Sequence, residues 1–210
     1  GKIYTDAEIC NVTVADSCFK GKDSVGGVCG YNSQGTIKNS TNSGSVNGND
    51  YVGGVCGRNY NGTITNSTNS GSVKGTDYIG GVCGFNSGMI INSTNNGTVL
   101  GDYEVGGVCG TNYDTITNST NNENVYGIDF VGGVCGYNSD GTITNSTSSG
   151  NVTGHEYSIG GVCSYNSDGT ITNCYYDSDV FTGNAVSSDN GTTTNTLGKT
   201  TAEFQSGEVA

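Results

Sequence analysis

Nine cysteines, nineteen carboxylates and one histidine are the groups in this 210-residue chain that carry reactive chemistry. Six of the cysteines recur in a fixed neighbourhood: Cys29, Cys56, Cys83, Cys109, Cys135 and Cys163 each stand two positions after a Gly-Gly pair. Cysteines used this evenly invite a disulfide or a metal reading. The acids recur as well. Asp23, Asp50, Asp77, Asp102, Asp129 and Glu156 precede the Gly-Gly pairs by three or four residues, a stripe of oxygen ligands that would suit Ca²⁺. His155 stands alone. In His155-Glu156-Tyr157-Ser158-Ile159 the second histidine of a zinc-protease helix is missing. No nucleophile, base and orienting acid can be assembled around it. The carboxylates are spread along the chain instead of paired on one coil, as glycoside cleavage would need. The chain reads as having no catalytic site.

Whether any of these groups meet depends on the elements that carry them. The Gly-Gly pairs fall at Gly26-Gly27, Gly53-Gly54, Gly80-Gly81, Gly106-Gly107, Gly132-Gly133 and Gly160-Gly161, with spacings of 27, 27, 26, 26 and 28 residues. They mark six clear coils of 26–28 residues. Glycine breaks the consensus coil at a turn before Thr-Ile-Thr (Asn61-Gly62), before the Ser/Thr-Val pair (Ser70-Gly71) and after it (Gly75). Three turns imply about three short strands per coil. Val28 and Cys29, then Ile37, then Val46 supply the apolar residues at period two, and no stretch sustains the helical period of 3.6. This predicts an all-β fold, a triangular parallel β-solenoid (β-helix). Residues 25–174 form its six coils, 1–24 a degenerate N-terminal coil or cap, and 175–210 a C-terminal capping segment in which Thr201-Ala202-Glu203-Phe204-Gln205 reads as a short helix.

Leu, Ile, Val and Phe number only 39, and the net charge is −12, a balance that usually marks disorder. The repeat overrides it, because each coil buries its few apolar residues against the coils on either side. Proline is absent, which suits a backbone whose N–H groups pair between coils. The acidic balance excludes nucleic acid and anionic membranes as partners, and no apolar run reaches the ~20 residues of a membrane span. The chain opens on Gly1 with no signal peptide and reads as a mature product or an excised piece of a longer protein.

Stacking turns every recurrent residue into a column. Equivalent cysteines would lie ~4.8 Å apart on parallel vectors, too far for the ~3.8 Å Cβ separation of a disulfide, so the six are expected to pack as reduced, buried residues. Cys174 replaces a serine of the other coils, and a Cys10–Cys18 link stays open. Asn32, Asn59, Asn86, Asn112, Asn138 and Asn166 form one amide column, and Asn39, Asn66, Asn92, Asn118, Asn145 and Asn173 a second. Both are expected to bond from coil to coil. For the acid stripe, solvated charge is preferred over Ca²⁺, and no other cofactor is called for. Thr63/Thr65, Thr115/Thr117, Thr142/Thr144 and Thr170/Thr172 make an outward array that admits ice binding, although Lys38, Met89 and Ile91 break it. Tyr31, Phe85, Tyr137 and Tyr165 offer either packing over turns or a sugar-stacking strip.

The repeat Val-Gly-Gly-Val-Cys-Gly-Tyr-Asn (Val25–Asn32, Val131–Asn138) followed by Gly-Thr-Ile-Thr-Asn (Gly141–Asn145) resembles the GLUG repeat of bacterial surface proteins, found also in the non-catalytic parts of IgA-cleaving metallopeptidases. Asn173-Cys174-Tyr175-Tyr176-Asp177 and Gly198-Lys199-Thr200-Thr201-Ala202-Glu203-Phe204 resemble the segment that closes such arrays. The resemblance spans roughly residues 20–205 and departs at the cysteine, where the motif usually has a small apolar residue. It implies a non-catalytic structural or adhesive rod of an exported bacterial cell-surface or cell-wall protein. Its partners would be a host protein or glycan and the other domains of its parent. The alternative it leaves is a glycan-binding accessory module of a surface hydrolase or peptidase.

Overall fold

The structure is a computed structural model that describes residues 1–155 and 158–207. One coil runs through Asp50–Gly53, Cys56–Thr65, Thr68–Asn69 and Val73–Lys74 before Asp77–Gly80 opens the next. Elsewhere the long strand is interrupted, as at Cys29–Ser33 and Thr36–Lys38. Every strand pairs in parallel with its equivalents one coil away. Cys56 lies between Cys29 and Cys83, Ile64 between Ile37 and Ile90, Thr68 between Thr41 and Thr94, and Val73 between Val46 and Val99. The chain is a parallel β-solenoid. Its eight-stranded sheet corresponds to eight rungs, a rod of roughly 34 Å at ~4.8 Å per rung.

The cross-section has four sheets, of fourteen, eight, six and six strands, where the sequence suggests three faces. Glycine announces only some of the corners. Asn66, between Thr65 and Ser67, turns the chain from the widest sheet to the eight-stranded one by adopting φ 49°, and its equivalents Asn39, Asn92, Asn118, Asn145 and Asn173 lie at φ 49–53°. Asparagine tolerates this left-handed geometry, so the corner needs no glycine. The Asn61-Gly62 turn, by contrast, is an irregularity inside the widest sheet.

Two apolar clusters fill the interior. One stacks the Val55, Cys56 and Ile64 columns, and the other the Val52 and Val73 columns, nearly all without exposed surface. Each fully buried Val or Ile contributes about 1.5–3 kcal/mol. The paired glycines fit between. A Cβ on Gly53 would lie 2.0 Å from the Cys56 carbonyl oxygen, and one on Gly54 would lie 2.2 Å from Cγ of Asn69. Neither adopts a positive φ, so this pair is required for close approach rather than for a turn.

The end segments continue the same pairing. Lys2–Ile3 pairs with Tyr31 and Asn32, and Leu197–Lys199 pairs with Tyr175–Asp177. The helix among the described residues, Thr201–Ser206, is capped by Thr200, whose hydroxyl accepts from the Glu203 N–H while the Glu203 carboxylate accepts from the Thr200 N–H.

Whole coils are therefore interchangeable units. Excising residues 54–80 joins Gly53 to Gly81 in register. The shortened chain is expected to stay folded, with the far-UV circular dichroism of parallel β-structure, and to be one rung shorter, about 4.8 Å. Excising 54–66 instead puts non-equivalent residues together and should abolish cooperative unfolding. Equal tolerance of both deletions would contradict the stacked-coil register.

Candidate functional site

The buried polar groups come first, because they decide which residues can face outward. Asn59 donates one amide hydrogen to the Gly62 carbonyl of its own coil, at 2.9 Å, and the other to Oδ1 of Asn86 on the next, at 2.8 Å. The same bond runs unbroken from Asn32 to Asn166 and ends on the carboxylate of Asp189. All six asparagines are fully buried. A second internal column escapes a reading of the sequence: Asn42, Asn69, Asn95 and Asn121 donate upward in turn, the last to Ser148. Their positions hide in the polar Thr-Asn-Ser-Gly stretch; the signal that points to them is the second glycine of each pair, about half a coil earlier (Gly54 for Asn69), whose missing Cβ leaves room for the amide.

Between these columns runs a buried serine ladder. Ser67 Oγ accepts from the Ser40 N–H and donates to the Thr65 carbonyl, and the arrangement repeats at Ser93, Ser119 and Ser146. It satisfies the N–H groups left over by the left-handed asparagine corner. Cys174 takes the serine's place in the sixth coil and is likewise buried.

The six column cysteines sit in register with no exposed surface to speak of, and all nine cysteines are unbridged. Each column thiol donates to the carbonyl two residues on, for example Cys56 to Arg58 at 3.1 Å and Cys83 to Phe85 at 3.2 Å. Burial pushes the thiols of Cys56, Cys109 and Cys163 up, and that of Cys174 up to about 11. Cys29 is raised by its hydrogen bond with Cys56 and then by burial. Cys83 and Cys135 feel the same desolvation, opposed by hydrogen bonds from the thiols on either side. None of the groups acting on those two is a cation, and an unpaired buried charge is costly, so the column is read as neutral thiol throughout. Cys10 and Cys18 are exposed.

The acid stripe is less regular than its spacing suggests. Asp50 lies in register between Asp23 and Asp77, but Tyr103 occupies the next position and Asp129 follows it. Asp102 stands one residue earlier, at the position equivalent to Thr76, and Glu156 lies outside the described residues. Burial, then the charges of Asp50 and Asp102, raise the pKa of Asp77. Among the described residues no three His, Cys, Asp or Glu side chains come together as a metal site would need.

The aromatic residues form two adjoining columns. Tyr51 and Tyr78 stack at 4.7 Å with an interplanar angle of 8°, and Tyr137 and Tyr165 at 5.3 Å and 2°. Arg58 replaces a ring in the column, its guanidinium 4.4 Å from the Tyr51 centroid and 5.1 Å from that of Phe85. Two rungs after Arg58, Glu104 and Thr111 replace both rings and hydrogen-bond to each other. Rings stacked along the rod spend their faces on one another and present edges to solvent. A sugar that stacks needs an open face, so this strip favours packing.

A concavity lies elsewhere. Along the corner between the widest sheet and the eight-stranded one, Asn92, Asn118, Asn145, Asn173 and Asn195 line an open groove of about 740 Å³, with Thr120, Thr147 and Tyr175 on its wall. These are the outer asparagines, exposed and left-handed. They bond only in part: Asn195 donates to Asn173 Oδ1 at 2.7 Å and Asn173 to Asn145 Oδ1 at 3.4 Å.

A parallel β-solenoid with internal amide ladders and no convergent reactive groups among its described residues is the class these observations define. Residues 23–47, 48–74 and 131–153 match the model of the GLUG motif, so the chain carries GLUG repeats, as the resemblance of its coils implies. Over its whole length it is also similar to 80% of a crystal structure from Bacteroides ovatus described as a "putative immunoglobulin A1 protease", at 20% identity and a TM-score of 0.67, a likeness of fold. No curated protein matches.

Burial separates the thiols into two groups. With a thiol reagent at pH 8 the folded chain is expected to release signal for Cys10 and Cys18 within minutes and for the remaining seven only after unfolding in denaturant, with no reductant needed. Rapid native labelling of the column, or thiols appearing only after reduction, would contradict the packed-column structure.

Proposed function

We propose that this chain is a non-catalytic rod of an exported bacterial surface protein, which spaces another domain from the cell or presents an extended face to a partner. The observation that carries the reading is the rung-by-rung repetition itself: Cys56, Asn59, Ile64 and Thr68 all lie over their own equivalents in neighbouring coils. Such an arrangement multiplies one contact along a line, whereas catalysis requires different groups to converge on one point. The GLUG matches and the fold shared with the Bacteroides ovatus protein support a place in a larger secreted or surface polypeptide. The name of that protein suggests a peptidase as one kind of neighbour, with the activity residing outside the rod.

The test is made in the parent polypeptide. Excising one or two whole coils should leave the turnover of any attached catalytic domain unchanged while shortening its reach from the cell by about 4.8 Å per coil, read by distance-dependent fluorescence quenching at the surface. Loss of turnover on removing any single coil would overturn the non-catalytic reading, and an unchanged reach would overturn the spacer.

A further inference from the structure

The corner groove has the chemistry of a ligand site that the ladder architecture does not itself require. The internal asparagines and serines satisfy the backbone. The outer asparagines make the corner with their left-handed backbone, and their amides are bound to one another only in part. Among the described residues, the side chains of Asn92 and Asn118, on neighbouring rungs, have no hydrogen-bond partner at all. Beside them the Thr147 hydroxyl donates to that of Thr120 at 3.2 Å, so a column of hydroxyls runs alongside the column of amides. No charged side chain lines it, although the chain as a whole carries −12.

From this geometry we infer that the groove binds a linear, neutral polysaccharide laid parallel to the rod axis. The inference rests on the reading of the rod as an extended binding face and names that face. A primary amide offers two donors and two acceptor lone pairs, and a sugar hydroxyl offers both as well. Each rung therefore supplies the same donor and acceptor set at intervals of ~4.8 Å, which a polymer of repeated hydroxylated units can use several times over. The groove is open along its length, so a chain can pass through it without needing a terminus. The lack of charge disfavours polyanions, which the acidic rod repels. The absence of an apolar floor disfavours peptides that anchor by a buried side chain. The aromatic columns are a separate surface, in which Tyr51 stacks on Tyr78 and Tyr137 on Tyr165.

Asn→Gly is the informative substitution, because glycine keeps the left-handed corner and removes only the amide. Binding of soluble neutral β-glucan, α-glucan, mannan and galactan is measured by affinity electrophoresis and calorimetry, with heparin and polygalacturonate as charged comparisons. At least one neutral polymer is expected to bind. The triple variant N92G/N118G/N145G should weaken it about tenfold or more. T120V/T147V, which keeps strand propensity, should weaken it in the same direction, while Tyr137→Ala should not. Circular dichroism confirms that each variant is folded. Binding of charged polymers alone, equal binding by wild type and both groove variants, or binding lost only in Tyr137→Ala would overturn the inference. A folded rod of the expected length that ignores every neutral polymer would also overturn it, while leaving the spacer reading intact.

Discussion

The amide of Asn59 bonds the carbonyl of Gly62 in its own coil and the amide of Asn86 in the next, and the rest of the structure depends on that two-way bond being repeated on every rung. A buried hydrogen bond of this kind contributes only about 1 kcal/mol net, but a buried amide left without its partner costs about 1–3 kcal/mol. A coil that slips by one residue would strand an amide in each internal column and turn its Val and Ile residues outward. The ladders therefore fix register more than they add stability. Once register is fixed, the cysteine, isoleucine and valine columns pack on themselves, and paired glycines close the gap between them.

This explains how a chain so poor in aliphatic residues has a core. In a globular domain each buried residue needs several different neighbours. Here each needs only its own copy above and below and the next column beside it. Ile64 has no exposed surface although its coil supplies few other large apolar groups. The same logic disposes of the reactive groups. Cysteines placed on parallel strands at one rung spacing cannot bridge, and burial keeps them as thiols. Burial, then the charges of Asp50 and Asp102 nearby, raise the pKa of Asp77, and among the described residues no three such groups come together as a metal site would need.

Much of the architecture is legible in the residues. The Gly-Gly spacing gives the coil, and Ile37, Val46 and their equivalents give the inward positions. The parts that are not legible have identifiable causes. The corner at Asn66 has no glycine to mark it, so three turns were expected where there are four sheets. The Asn42–Asn121 column lies in a stretch that is polar throughout, and only the glycine it presses on betrays that one of those residues points inward. The acid stripe breaks because Tyr103 stands opposite Asp77 and the acid of that coil, Asp102, falls opposite Thr76 instead; on a strand whose side chains alternate, a spacing of four in place of three changes the column. The aromatic residues recur at the right spacing for a stacking strip, but whether a ring offers its face or its edge is a matter of rotamer.

The most direct test of the ladder is hydrogen exchange of the asparagine side chains, followed by NMR in D₂O. Burial and pairing predict that the amides of Asn59, Asn86, Asn69 and Asn95 persist alongside the slowest backbone amides, while those of Asn92 and Asn118 vanish at once. Side-chain amides that all exchange together, at the rate of free asparagine, would contradict the account at its root.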